Sequence, residues 1–121
     1  MGLSRGPRGL VAAYVPAKGD LIALTFDPQS GHEQKGRRPA LVISNDLFNQ
    51  RTGLAIVCPI THTRRDIPFH VALPAGGPVD GFVMVEQVKA IDFRARRARF
   101  LGKVAEPLLN EALGILDACI Y

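Results

Sequence analysis

Residues 40–60, ALVISNDLFNQRTGLAIVCPI, hold two short apolar runs on either side of a cluster of turn-forming residues. Ala40–Ser44 (ALVIS) and Leu54–Ile60 (LAIVCPI) are short for buried helices, and their β-branched content suits strands. Between them, Asn45–Gly53 places Asn, Asp, Thr and Gly around Leu47 and Phe48, which predicts one helical turn joining the strands. Pro59 withholds a backbone donor, so its strand is expected at a sheet edge or with a bulge near its end.

The same rhythm continues outward. Upstream, Asp20–Phe26 (DLIALTF) reads as a strand, and Asp27-Pro28-Gln29-Ser30-Gly31 opens a loop running to Pro39. Downstream, Phe69–Leu73 alternates, Pro74–Gly81 is a Gly/Pro turn, and Phe82–Val85 and Val88–Phe93 add two short strands. About five or six short strands separated by turns predict a mainly β fold, a small barrel or sandwich that curls to hide its edges. The end of the chain changes period. Leu108, Leu109, Ala112, Leu113, Leu116 and Ile120 fall on one helical stripe, Pro107 suits the first helical position, and Glu106 and Glu111 favour its positive end. A C-terminal α-helix packed on the sheet is expected. At 121 residues and 47% hydrophobic content the chain fits one domain. Residues 1–13, with three glycines, a proline and two arginines, read as a flexible basic segment ahead of a domain at 14–121.

The formal charge is +4 and most of the 15 basic residues are arginines, whose planar forks suit phosphates and base edges. A polyanionic partner fits this balance. Cys58 and Cys119 lie in apolar surroundings with no metal-ligand spacing, so both are expected as buried thiols and no metal or cofactor is expected. No apolar run approaches the roughly 18 residues of a membrane span, and the N-terminus lacks a signal-peptide hydrophobic stretch, so a soluble cytoplasmic protein is expected.

Three polar clusters follow or precede apolar strands. The loop His32-Glu33-Gln34-Lys35-Gly36-Arg37-Arg38-Pro39 concentrates a carboxylate, an amide, three cations and an imidazole, with Pro39 fixing the backbone beside Arg38. The segment Thr61-His62-Thr63-Arg64-Arg65 ends the Leu54–Ile60 strand with hydroxyls, an imidazole and two cations. If these sequential strands pair, both clusters share one rim. Such a rim can cleave RNA without a metal if it aligns a ribose 2′-hydroxyl with the adjacent phosphorus, moves two protons and stabilises the dianionic transition state, the last being a task for arginine. The third cluster, Arg94-Ala95-Arg96-Arg97-Ala98-Arg99, reads equally as a solvated basic edge or as a phosphate track. His70, in an alternating apolar stretch, reads as structural.

Val15-Pro16-Ala17-Lys18-Gly19-Asp20-Leu21-Ile22, Gly31-His32-Glu33-Gln34-Lys35-Gly36-Arg37-Arg38-Pro39, Val57-Cys58-Pro59-Ile60-Thr61 and Phe82–Asp92 occur in an order that resembles the MazF/PemK (ChpB-like) toxins of type II toxin–antitoxin systems. The resemblance covers roughly residues 14–120. It implies an open SH3-like β-barrel of the CcdB/MazF type with short helices and a C-terminal helix, assembled as a homodimer. It also implies a sequence-specific, metal-independent endoribonuclease, an mRNA interferase, that leaves a 2′,3′-cyclic phosphate and a 5′-hydroxyl and is restrained by a MazE-type antitoxin. Carried onto matching positions, Arg38 and Thr61 are the catalytic pair, with Glu33 as base or loop organiser. Gln34, Lys35, Arg37, His62, Arg94 and Arg96 are expected at the RNA. His32 and Arg37 stand at positions that vary among these toxins, and the Thr61–Pro68 segment that contributes to base selection departs from them.

Two other readings share the barrel. A CcdB-like gyrase poison inhibits a protein partner through a tryptophan-containing tail, whereas this chain has no tryptophan and ends Ala118-Cys119-Ile120-Tyr121. An inactive RNA-binding barrel has no need of Arg38 and Thr61 together.

Overall fold

A computed structural model of the chain describes residues 13–25 and 37–121. Among the described residues, seven strands and two α-helices follow one another as β1 (Asp20–Thr25), β2 (Arg37–Val42), α1 (Asp46–Thr52), β3 (Leu54–Thr61), β4 (His70–Ala72), β5 (Phe82–Met84), a 3-10 turn (Val85–Gln87), β6 (Lys89–Asp92), β7 (Arg99–Lys103) and α2 (Glu106–Ile120). The expected basic segment over 1–13 lies, apart from Ala13, outside the described residues.

The sheet runs β4-β5-β3-β2-β1-β7, and β6 joins β3 off that path. All pairings are antiparallel. The long strand β3 has two neighbours along one edge: β6 pairs from Leu54 to Val57, and β5 takes over at Ile60 and Thr61. Pro59 falls at that change of partner. The Ile43 N–H donates to the Ile56 carbonyl, so alternation turns the polar groups of Ile56 and Cys58 toward β2 and those of Pro59 away from it, into the gap between β6 and β5. The missing donor therefore costs no ladder bond, and Pro59 occupies a central strand rather than the edge or bulge its residue type suggests.

Strands β1–β3 bury apolar side chains on both faces. Leu21, Leu41, Cys58 and Ile60 join Val71, Val83 and Ala112 in one core, which Leu108, Leu109, Leu113, Ile115 and Leu116 of α2 cover. Ile22, Leu24, Ala40, Val42, Ala55 and Val57 join Ile91 and Phe93 in the second, closed partly by Tyr14 and Val15. The helical stripe packs as expected down to Leu116. Its last turn overshoots the sheet, so Ile120 is 64% exposed and Cys119 is exposed, not buried. Helix α1 is longer than one turn. Asn45 caps it by accepting from the Phe48 N–H (2.8 Å), and Gly53 ends it in the left-handed region at φ 75°. Its Leu47 and Phe48 face solvent, whereas Asn49 is fully buried and donates to the Pro16 carbonyl at 2.7 Å, tying the chain before β1 to the helix. Buried Asp20 fixes the same segment. Its carboxylate accepts from the Tyr14 hydroxyl and the Ala17 N–H and pairs with Lys103 at 2.6 Å. Burial, with the Asp20 hydrogen bond and charge, holds the Tyr14 phenol above its ordinary range.

Strand β7 is the element the sequence reading lacks. Arg99-Phe100-Leu101-Gly102-Lys103 carries little apolar periodicity and merges with the arginine run, yet it completes β1, with a register shift between Leu21 and Ile22. No helix among the described residues is long and apolar enough to cross a membrane.

The two thiols differ in chemistry. Burial, reinforced by the nearby Glu86 carboxylate, pushes the Cys58 thiol up to about 12. At pH 8, a disulfide-exchange reagent is expected to titrate one thiol per native chain and a second only after denaturation, and Cys119→Ser is expected to abolish the first. Two native thiols reacting at one rate would contradict this placement.

Candidate active site

The register of β2 against β3 pairs Val42 with Val57, Leu41 with Cys58 and Ala40 with Pro59, and stops there. Continued two residues further, the same register sets Arg38 opposite Thr61. The β2–β3 ladder ends at this fork, while along its other edge β3 has exchanged β6 for β5, where Thr61 is matched with Phe82. Pro39 belongs to the fork as well: by the alternation that directs Ile43 toward β3, its missing N–H points to β3 beyond the last pair, where no ladder bond is lost.

A cleft of about 380 Å³ lies here. Ala23, Pro39 and Leu101 give it an apolar lining, and Arg37, Arg38, His62 and the turn 77–80 complete it. Arg38 is exposed, held on the rung opposite Leu24. Thr61 ends β3 half-exposed, its Oγ1 accepting from the Thr63 N–H at 3.1 Å. The hydroxyl keeps its own proton for a further acceptor. His62 Nε2 meets Asp80 Oδ1 at 3.2 Å, and both side chains are over 70% exposed. Arg64 pairs with Asp66 at 3.3 Å and lies 5.9 Å from the Phe82 ring centroid, which tethers the segment after Thr61.

Two close approaches seat the turn 77–80. At Gly81, with φ 119°, an added Cβ would stand 2.5 Å from the Thr61 carbonyl oxygen, and at Gly102 it would stand 2.5 Å from the Pro78 ring. Only glycine lets the backbone lie this close at the first position without strain. Asp80 and this turn escape a reading by residue type, since Pro74–Gly81 shows only turn chemistry. The available signal is its position directly before the strand that pairs with Thr61.

The arginine run is a turn, not an extended track. Asp92 Oδ1 accepts from the Arg94 and Ala95 N–H groups at 3.2 and 3.0 Å, and the turn closes with Ala98 N–H on the Phe93 carbonyl. Arg94 is exposed, its guanidinium 5.9 Å from the Phe93 ring centroid. Arg96 is half-buried and donates to the Thr25 carbonyl at 3.1 Å. Arg37 donates through Nη2 to the carbonyls of Ala23 (3.2 Å) and Arg97 (3.0 Å). Glu33, Gln34 and Lys35 lie outside the described residues, and the strand ends that carry their loop are Thr25 and Arg37, the latter in the cleft lining. His70 is structural: its side chain is 3% exposed and meets Glu86 at 3.1 Å.

Residues 17–119 match the family model described as PemK-like, MazF-like toxin of type II toxin-antitoxin system. The endoribonuclease toxin MazF of Escherichia coli (strain K12) is 45% identical over 96 residues, 79% of this chain and 86% of that relative. The endoribonuclease toxin ChpB of the same organism is 44% identical over 108 residues, 85% and 92% of the two chains. A crystal structure of MazE-MazF from Deinococcus radiodurans superposes with a TM-score of 0.81 at 41% identity, covering 88% of this chain and 97% of that one. The fork, the apolar strands that hold it and the ordered sequence matches agree, and the chain belongs to the PemK/MazF family of toxins of type II toxin–antitoxin systems.

Proposed function

We propose that the chain is a sequence-specific endoribonuclease toxin that cleaves single-stranded RNA at the fork between β2 and β3 without a metal ion. The observation that carries this reading is the β2–β3 register, which continued two rungs brings Arg38 level with Thr61 at the fork, next to a cleft lined by Arg38 and His62, in a chain 45% identical to an endoribonuclease toxin. The ribose 2′-oxygen loses its proton to a base and attacks the adjacent phosphorus. The bond from phosphorus to the 5′-oxygen then breaks and the leaving oxygen takes up a proton, so that the products are a 2′,3′-cyclic phosphate and a 5′-hydroxyl. Arg38 stabilises the dianionic phosphorane and serves the leaving oxygen, and the Thr61 hydroxyl donates to a non-bridging oxygen. Glu33 is the base or organises the loop that carries it. Holding the 2′-oxygen in line supplies much of the remaining rate.

Gln34, Lys35, His62 and Arg94 meet the RNA. Arg37 and Arg96, also expected there, already direct guanidinium donors into backbone carbonyls. The active form is a homodimer in the cytoplasm, restrained by a MazE-type antitoxin, as the MazE-MazF complex of Deinococcus radiodurans suggests.

Purified protein given a long single-stranded RNA in excess EDTA is expected to cut it at a short sequence and to leave cyclic phosphate ends. Intact RNA, or cutting only after magnesium is added, would overturn the mechanism. Arg38→Ala is expected to lower the cleavage rate by about 10²-fold or more with an unchanged melting temperature, since it removes preorganised charge at the phosphate. Arg94→Ala is expected to weaken RNA binding and to reduce the salt slope of affinity by about one, and an unchanged slope would exclude a phosphate contact. Gly81→Ala is expected to push the turn off the Thr61 carbonyl and to cost cleavage as well as stability, read by single-turnover rate and thermal melting.

A further inference from the structure

We infer that Arg37 and the turn 94–97 form a clamp on the ends of β1 and β2 that positions Arg38. Thr25, the last residue of β1, is held from two sides. Its N–H donates to the Arg96 carbonyl at 2.9 Å and its carbonyl accepts from Arg96 Nη1 at 3.1 Å. Arg37, on the rung opposite Thr25, reaches the Thr25 hydroxyl at 3.5 Å and the Ala23 carbonyl at 3.2 Å, and crosses to the Arg97 carbonyl at 3.0 Å. One planar fork thus joins β2, β1 and the turn. A lysine ammonium has the charge but not the fork needed to hold these acceptors together.

The turn is shaped for the task. Arg97 adopts φ 56° and is the one non-glycine residue with positive φ among the described residues. An observed outlier of this kind requires surroundings that over-determine it. Here they are the N–H of Arg96 on the Asp92 carbonyl, that of Arg97 on the Arg94 carbonyl and that of Ala98 on the Phe93 carbonyl, with the Asp92 carboxylate beneath. The contact this conformation serves is the Arg97 carbonyl accepting from Arg37.

Arg38 sits on the penultimate rung of the β1–β2 ladder, one step from the clamped pair. Without the clamp that rung is a strand end free to fray, and a displacement near 1 Å at a catalytic group can cost about 10²-fold in rate. Arg37 is therefore a positioning residue. This role rests on the reading of Arg38 as the catalytic arginine, whereas the clamp itself is observable without RNA.

Arg37→Lys keeps the charge and Arg97→Gly removes one while suiting the positive φ, so together they separate a clamp from a phosphate track. For Arg37→Lys we expect kcat to fall at least about tenfold with KM and the salt slope unchanged, and amide exchange at Thr25 in the RNA-free protein to quicken by about tenfold or more. For Arg97→Gly, which keeps the carbonyl that Arg37 holds, we expect the salt slope of RNA affinity to stay that of the parent. Retained kcat and Thr25 protection in Arg37→Lys, or a weaker affinity with a shallower slope in Arg97→Gly, would overturn the clamp. If Arg37→Lys does not fold, Arg97→Gly decides alone. If the parent protein cuts no RNA the catalytic reading fails, and Thr25 exchange still decides the clamp.

Discussion

The arrangement depends on the register of β1 against β2. Leu21 pairs with Leu41 and Ile22 with Ala40, and each pair enters a different core. A slip of β2 by one residue would turn its side chains to the opposite faces, carrying Leu41 out of the core under α2 and putting Arg37 where Arg38 stands. Most antiparallel sheets feel such a penalty on one face. Here both faces of β1–β3 are buried, so the register is specified twice. The position of Arg38 is inherited from this packing, since nothing about a charged residue at a strand end selects one face over the other.

The fork follows from where backbone donors can be dispensed with. Pro39 and Pro59 lie on neighbouring strands, and each directs its missing N–H to a place without a ladder partner. The β2–β3 ladder can then stop, and β5 can replace β6 along the other edge of β3, without orphaning a donor at either proline, which would cost about 1–3 kcal/mol if buried. Arg38 and Thr61 lie two residues beyond the last pair, opposite in register but no longer bonded. A continuous ladder would bring their side chains within about 5.5 Å and leave no room for a phosphate. Gly81 and Gly102 then allow the turn 77–80 to close the cleft from another element.

The densely apolar strands were legible in the sequence because β1–β3 carry their own hydrophobic signal, as does α2 down to Leu116. β7 was not, because an edge strand with one face on solvent and arginine at its start has almost no alternation to read. Pro59 misled for a related reason. Residue type tells that a donor is missing but not whether a partner strand stands there, and β3 has a gap where its two neighbours meet. Cys119 and Ile120 continue the helical period, yet period cannot tell where the sheet beneath ends. For the candidate site, the ordered motifs single out Arg38 and Thr61, but Asp80 and the 77–80 turn enter only through tertiary packing.

Arginine content is the point at which composition and structure part furthest. The excess of arginine over lysine suits a polyanion, and the exposed Arg94 is consistent with that use. Arg37 and Arg96 use the same chemistry inward. A guanidinium offers five donors in a rigid plane and is weakly hydrated, so it can satisfy several carbonyls at a strand end at a lower desolvation cost than an ammonium. Carbonyls are abundant where a ladder stops, at Ala23, Thr25 and Arg97, and an arginine there ties the ladder off. Charge counts cannot separate these uses, because the residue that grips a phosphate and the residue that grips a strand end are chosen for the same fork. The separating quantity is the acceptor each side chain already holds.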